Sequence, residues 1–147
     1  MEIITRSIVT QEVPGEISIA LAVWGCPMNC KGCSWSEQNK ATDHYTLEEE
    51  DFRKQLDVNE GFVTCITFLG GEWCEDLVKY LGMAQEYGYK TCLYTGRDDV
   101  SEEVKSKLNY LKVGKYVESL GGLDSPTTNQ KFINLDTGEV QNYLFLK

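Results

Sequence analysis

Two runs of apolar and β-branched residues constrain the fold of this chain more than any other feature of its sequence. Residues 17–23 read ISIALAV, and residues 62–69 read FVTCITFL. A strand that is covered on both faces of a parallel sheet has this nearly continuous apolar character. Both runs are too short to cross a bilayer. We therefore predict two buried strands rather than a membrane segment.

Helical patterns alternate with the predicted strands along the chain. The predicted strands cover residues 17–23, 62–69, 89–95 and 110–117. The predicted helices cover residues 45–56, 74–88 and 101–108. This alternation is typical of parallel β/α units, and we find no linker or repeat that divides residues 1–147. The sequence predicts a single α/β domain.

The ends of several elements carry local signals. Thr46 and Glu49 have the spacing of a capping box at the start of the first helix. Gly88 is placed to end the second helix. The tail, residues 130–146, has the pattern of a β-hairpin that turns at Asp136 to Gly138.

Charge and composition exclude some classes of function. The formal net charge is −9, and no basic stripe is interleaved with aromatic residues, so a nucleic-acid surface is not expected. The first residues lack the pattern of an export signal, which predicts a cytoplasmic protein. In that reducing compartment, six cysteines indicate metal binding or catalysis more than disulfides.

Three cysteines are concentrated just after the predicted strand 17–23. Cys26, Cys30 and Cys33 are spaced four and then three residues apart, at the strand end that carries function in parallel α/β folds. Structural zinc and [4Fe–4S] clusters normally take four protein ligands. With three cysteines, one iron of a cluster stays open to a small chelating ligand.

The remaining candidate ligands are less convincing. Cys65 and Cys92 lie inside predicted strands, where a cysteine is usually a small core residue. Cys74 follows a Gly-Gly turn, and its position in the core or at the surface stays open. His44 lies in a polar loop and is expected to be solvated rather than a ligand.

The Cys-x3-Cys-x2-Cys spacing resembles the signature of the radical S-adenosylmethionine (SAM) enzymes. The resemblance implies a [4Fe–4S] cluster on Cys26, Cys30 and Cys33, with SAM chelated to the open iron. Reduction of the sulfonium then yields a 5′-deoxyadenosyl radical. Trp35, near the third cysteine, either stacks on adenine or simply packs in the core.

Two further stretches resemble the same family. Gly70, Gly71 and Glu72, in FLGGEW, resemble the stretch that contacts the methionine end of SAM. Glycines let a backbone approach a ligand closely, and a glutamate accepts hydrogen bonds from an ammonium group. The alternative is a strand-ending turn with a surface glutamate. Thr95, in LYTGRD, matches a polar position near SAM in the family.

The second half of the chain resembles one group within this family. Residues 110–132 are similar to the C-terminal stretch of anaerobic ribonucleoside-triphosphate reductase activating proteins. Lys115 matches a SAM-pocket position, whereas Val113 stands where an acidic residue is frequent. The roles of Asn129 and Gln130 stay open between SAM and a partner loop.

This resemblance implies a fold, a partner and a reaction. The fold is a shortened, incomplete (β/α) radical SAM barrel with mostly parallel strands and a C-terminal β-hairpin. About four β/α units cannot close a barrel of eight, so the open side suits a macromolecular substrate. That substrate is a glycine of the large anaerobic ribonucleotide reductase subunit, with flavodoxin or ferredoxin as a one-electron donor. No side chain of this chain needs to act as acid or base.

Other functions fit parts of the same pattern. The chain could activate a different glycyl radical enzyme or act on a small molecule. It could also be a small module without enzymatic activity, in which the cysteine loop holds zinc or an electron-transfer cluster.

Overall fold

One mixed sheet organises the protein, as seen in a computed structural model that describes residues 1–25 and 43–146. Its strands are β1 (Glu2–Val9), β2 (Ser18–Val23), β3 (Tyr45–Thr46), β4 (Cys65–Leu69), β5 (Lys90–Tyr94), β6 (Tyr110–Val113), β7 (Lys131–Asn134) and β8 (Glu139–Val140). Their spatial order is β3-β1-β2-β4-β5-β6-β7-β8.

Three α-helices connect the parallel strands of this sheet. They are α1 (Glu49–Val58), α2 (Leu77–Glu86) and the short α3 (Glu102–Lys105), and a 3-10 turn (Asn142–Phe145) follows β8. α1 precedes β4, whereas α2 connects β4 to β5 and α3 connects β5 to β6, and the four central strands β2, β4, β5 and β6 run parallel. In the part of the chain that the structure describes, none of the helices has the length and apolarity needed to span a bilayer.

Antiparallel strands flank this parallel centre on both sides. β1 pairs with β2 and β3, and β7 pairs with β6 and β8, all antiparallel. The last of these pairs is a hairpin whose turn includes Gly138 at a φ of +79°. Three pairings are therefore parallel and four antiparallel among the described strands. The shortened radical SAM barrel stays a prediction.

Two local predictions about the first 60 residues were wrong. The strand predicted at 17–23 is not the first one, because β1 precedes it and pairs with it. The helix α1 begins after Glu48, and no side chain caps it. Thr46 lies instead in β3, where its hydroxyl donates to the Glu2 carboxylate over 2.6 Å. A hydrogen bond to a charged acceptor is stronger than a neutral cap, which explains the preference.

The larger hydrophobic core lies between the sheet and the helices. Phe52 of α1 meets Tyr80 of α2 edge to face, with ring centroids 5.1 Å apart. Phe68 of β4 packs against Phe52 from the sheet, at 6.3 Å between centroids. The buried Tyr80 hydroxyl donates to the Leu47 carbonyl over 3.0 Å. Each such buried side chain contributes about 1.5–3 kcal/mol, so this face anchors the helices on the sheet.

Side chains that point to the opposite face of the same strands form a second, smaller hydrophobic cluster. Cys65 of β4, Cys92 of β5 and Phe132 of β7 are fully buried there together with Val13 and Leu123. Leu123 belongs to the long connection between β6 and β7. That connection starts at the carboxyl end of β6 and therefore borders the ends of the parallel strands.

Candidate functional site at the carboxyl ends of the parallel strands

The register of the central strands brings three short sequence motifs to one edge of the sheet. Leu69 of β4 pairs with Tyr94 of β5, and Tyr94 pairs with Lys112 of β6. The next residues on these strands are Gly70, Thr95 and Val113, so their turns are neighbours. In open α/β sheets, ligands bind beyond the carboxyl ends of the parallel strands. This edge is the candidate site.

The turn after β4 has a backbone that requires glycine. Gly70 and Gly71 have φ angles of +86° and +108°, which side chains rarely tolerate. A Cβ atom at Gly71 would lie 3.1 Å from Cγ2 of Val23. The Gly70 amide donates to the Tyr94 carbonyl over 2.8 Å and ties this turn to β5. Glu72 follows this turn, beyond the carboxyl end of β4.

Glu72 and Thr95 contact each other directly. The Thr95 hydroxyl donates to Oε1 of Glu72 over 2.7 Å and accepts the Arg97 backbone N–H over 3.1 Å. The Arg97 guanidinium approaches the same Oε1, with Nε 3.6 Å away. Two residues that the sequence singled out separately are thus one hydrogen-bonded unit.

The second oxygen of Glu72 has no hydrogen-bond partner among the described residues. The Glu72 side chain is only 5% exposed, and its Oε2 atom is buried. A buried carboxylate oxygen without a donor costs free energy unless a ligand supplies one. The turn is therefore not the surface glutamate of the alternative interpretation. The arrangement favours a ligand that brings a hydrogen-bond donor, such as an ammonium group.

Lys112 is a member of the site that sequence reasoning missed. The residue is 8% exposed, and its ammonium donates to the carbonyls of Thr95, over 3.2 Å, and Gly114, over 2.8 Å. Gln130 also donates to the Gly114 carbonyl, over 3.3 Å. The available signal was a single lysine in the otherwise apolar strand YLKV.

Lys115 lies on the exposed surface just beyond β6. Its backbone carbonyl accepts a hydrogen bond from the Asn129 side chain over 3.1 Å. Asn129 and Gln130, whose roles the sequence left open, thus both donate to backbone carbonyls of the turn at residues 114–115. These contacts hold that turn beside the site.

The end of β2 carries an aromatic and acidic cluster. Trp24 stacks on His44 with ring centroids 4.3 Å apart, and His44 Nδ1 lies 2.8 Å from Oε1 of Glu2. The hydrogen bond from Thr46, followed by that with His44, lowers the pKa of Glu2. His44 is exposed, as expected, and its ring also stacks on Trp24 and pairs with Glu2.

The three cysteines in the described part of the chain are free thiols. Cys65 and Cys92 are completely buried, as predicted for core residues. Burial raises the pKa of Cys65 to about 11 and raises that of Cys92 well above its ordinary value. Cys74 is partly buried, and burial also raises its pKa. Because a metal binds the thiolate form, a raised thiol pKa disfavours ligation by these groups.

The predicted cluster ligands Cys26, Cys30 and Cys33, and also Trp35, lie outside the described residues. Within residues 1–25 and 43–146, no group of three or more His, Cys, Asp or Glu side chains is placed to bind a metal ion. The segment that carries the three remaining cysteines begins directly after Trp24 and Gly25, at the carboxyl end of β2.

Comparison with known proteins identifies the class to which the chain belongs. The family model of a 4Fe-4S single cluster domain matches residues 13–120, which include all six cysteines, Glu72 and Thr95. The chain belongs to this iron–sulfur family. Searches against curated proteins and against solved structures returned no match.

Proposed function

We propose that this protein is a radical SAM activase that generates a glycyl radical in the large subunit of an anaerobic ribonucleotide reductase. Membership of a 4Fe-4S single cluster family supports the presence of one cluster. The Cys-x3-Cys-x2-Cys spacing supports Cys26, Cys30 and Cys33 as its ligands. The other three cysteines are buried or partly buried thiols, which leaves these three as the best donor set.

The buried, unpartnered Oε2 atom of Glu72 carries the proposal. Glu72 follows β4, which lies between β5 and β2 in the sheet, and β2 leads into the cysteine segment. An electron-transfer domain has no need for a buried carboxylate oxygen beside its cluster. A site for the α-ammonium of SAM does need such an oxygen, because the ligand then supplies the missing hydrogen-bond donor.

A [4Fe–4S] cluster held by Cys26, Cys30 and Cys33 would supply one electron for the reductive cleavage of SAM, and this radical chemistry would remove a hydrogen atom from the glycine α-carbon. The residues of this chain bind and orient. Gly70 and Gly71 allow close approach of the backbone, and Glu72 accepts from the ammonium while Thr95 holds the carboxylate in place. In this proposal Lys115 borders the pocket and Trp35 lies near adenine.

The extent of the sheet supports the proposal that the substrate is a macromolecule. Within the described residues it ends at β3 on one side and β8 on the other, so these strands do not surround a small molecule. A loop of a partner protein can supply the missing wall. The electron comes from a one-electron donor such as flavodoxin or ferredoxin.

Electron paramagnetic resonance tests this proposal. The iron-reconstituted protein is mixed anaerobically with reductant, SAM and the large subunit of an anaerobic ribonucleotide reductase. We expect a glycine-centred doublet that requires SAM. Accumulation of 5′-deoxyadenosine without a doublet would indicate a radical SAM enzyme with another substrate. A protein with full iron and neither signal would be an electron carrier, whereas one zinc per colourless chain would indicate a zinc module.

Matched cysteine variants test the ligand assignment. Cys30→Ala should lose the cluster, measured as iron and sulfide per chain, because it removes one of the three proposed ligands. Cys74→Ala should retain the full cluster, because Cys74 packs against the hydrophobic core. Equal iron content in both variants would contradict the assignment.

A further inference from the structure

We infer that Lys112 is a positioning residue for the ammonium-binding end of the site, and that it acts on Glu72 through Thr95. The inference rests on the proposed function, because the ligand whose ammonium meets Glu72 is SAM. In the contacts described above, Lys112 reaches Glu72 through Thr95. Its effect is on where the Thr95 hydroxyl points.

Lys112 is an unusual residue at its position in the sheet. It lies in β6, where its neighbours Leu111 and Val113 are buried apolar residues, and it is itself 8% exposed. Burying an ammonium group is costly unless carbonyl or carboxylate oxygens surround it. The Thr95 and Gly114 carbonyls supply two such oxygens, at 3.2 and 2.8 Å. The lysine thereby links the ends of two adjacent strands.

Thr95 is held from both sides of its peptide unit. Its N–H donates to the Lys112 backbone carbonyl over 2.9 Å, and its own carbonyl accepts from the Lys112 ammonium. Its hydroxyl oxygen accepts from the Arg97 N–H, so the single hydroxyl proton is directed to Glu72. Rotation of this residue would break the contact that fixes the carboxylate.

The other end of the network is anchored in the connection after β6. Gly114, at a φ of +99°, accepts from Lys112 and from the buried Gln130 through one carbonyl oxygen. A continuous series of contacts therefore runs from Gln130 through Gly114, Lys112 and Thr95 to Glu72. This geometry distinguishes Lys112 from a lysine that only neutralises surface charge.

Binding of two ligands to the cluster-loaded protein tests the inference. SAM carries the amino-acid head group, whereas 5′-methylthioadenosine lacks it, so only SAM reports on the Glu72 end of the site. We expect Lys112→Met to weaken SAM binding about tenfold, the order expected when a hydrogen bond to a charged group is misaligned. Binding of 5′-methylthioadenosine should stay unchanged. Lys131→Met, an exposed lysine on β7, is the matched control.

A double variant tests whether Lys112 acts through Thr95. If it does, Lys112→Met combined with Thr95→Val should bind SAM no more weakly than the weaker of the two single variants. Lys112→Arg should restore part of the affinity, because it returns a buried cation with several donors. Should Lys112→Met fail to fold, Lys112→Gln replaces it, with the same head-group-selective loss expected.

The outcomes separate this inference from the proposed function. Equal weakening of both ligands, or of neither, would overturn the role of Lys112 while wild-type binding of SAM leaves the proposed function in place. Additive losses in the double variant would overturn the route through Thr95. A wild-type protein with a full cluster and no affinity for SAM would overturn both proposals together.

Discussion

Replacing Glu72 with glutamine separates the binding role of this side chain from its packing role. Glutamine has the same shape, and its amide oxygen can still accept the hydrogen bond from Thr95. The change removes the negative charge and the oxygen that has no partner in the described structure. The binding of a cationic ligand and the stability of the ligand-free protein should therefore respond differently.

The structure sets the expected size of both effects. The variant loses the ion pair with Arg97, which is half exposed and thus contributes no more than about 1 kcal/mol. It also removes a buried negative charge, which offsets part of that loss. The free energy of unfolding should stay within about 1 kcal/mol of wild type, and Tm within about 2–4 °C. The loss of a hydrogen bond between charged groups should cost about 1.5–3 kcal/mol of SAM binding.

Equilibrium dialysis and thermal unfolding measure these two quantities on the cluster-loaded protein under anaerobic conditions. The expected binding loss corresponds to a Kd raised about ten- to a hundredfold. Glu75→Gln is the control, because Glu75 is an exposed acid in the same turn. An unchanged Kd in Glu72→Gln would refute the assignment of Glu72 to the ligand ammonium. A large fall in Tm with no change in Kd would make Glu72 a structural residue.

Two further predictions concern stability. Gly71→Ala should destabilise the protein by about 1–3 kcal/mol in chemical denaturation, because it adds backbone strain and a close contact with Val23. The control Gly61→Ala has a φ of +85° but open space around the added methyl group, so its cost should be smaller. Equal costs in the two variants would contradict the contact with Val23. The raised pKa of Cys65 means that the unfolded chain releases this proton near pH 9 and the folded protein near pH 11, so stability should fall as pH rises through that window. Cys65→Ala should show a shallower fall, by about 2–3 kcal/mol in total, and identical pH slopes would contradict the assignment.

The sequence predicted the elements whose pattern is local. β4 and β5 lie within the predicted segments 62–69 and 89–95, and β4 was identified by its nearly continuous apolar run, which is typical of a doubly covered strand. β1 was missed because most of its side chains are exposed or only partly buried, so no apolar run or clean alternation marks it. The capping box failed because Thr46 found a charged partner in β1, which is distant in sequence.

The candidate site was predictable only in part. Gly70, Gly71 and Glu72 were identified from their resemblance to a family, but their contact with Thr95 depends on the register between β4 and β5. The role of Lys112 depends on the ends of two further strands, and a lone lysine in an apolar run gives no indication of its partners. Such contacts arise from tertiary structure and leave no local pattern.

The site is also discontinuous along the chain, which has a consequence for its synthesis. Glu72 precedes Gln130, the far anchor of its hydrogen-bond network, by 58 residues. At about 5–20 residues per second, a ribosome needs roughly 3–12 s to add them. Until Gln130 has been added, the network that runs from Gln130 through Gly114, Lys112 and Thr95 to Glu72 is incomplete. The nascent chain thus acquires Glu72 first and the anchor of its hydrogen-bond network later, so the geometry around this carboxylate is completed well after the residue itself is synthesised.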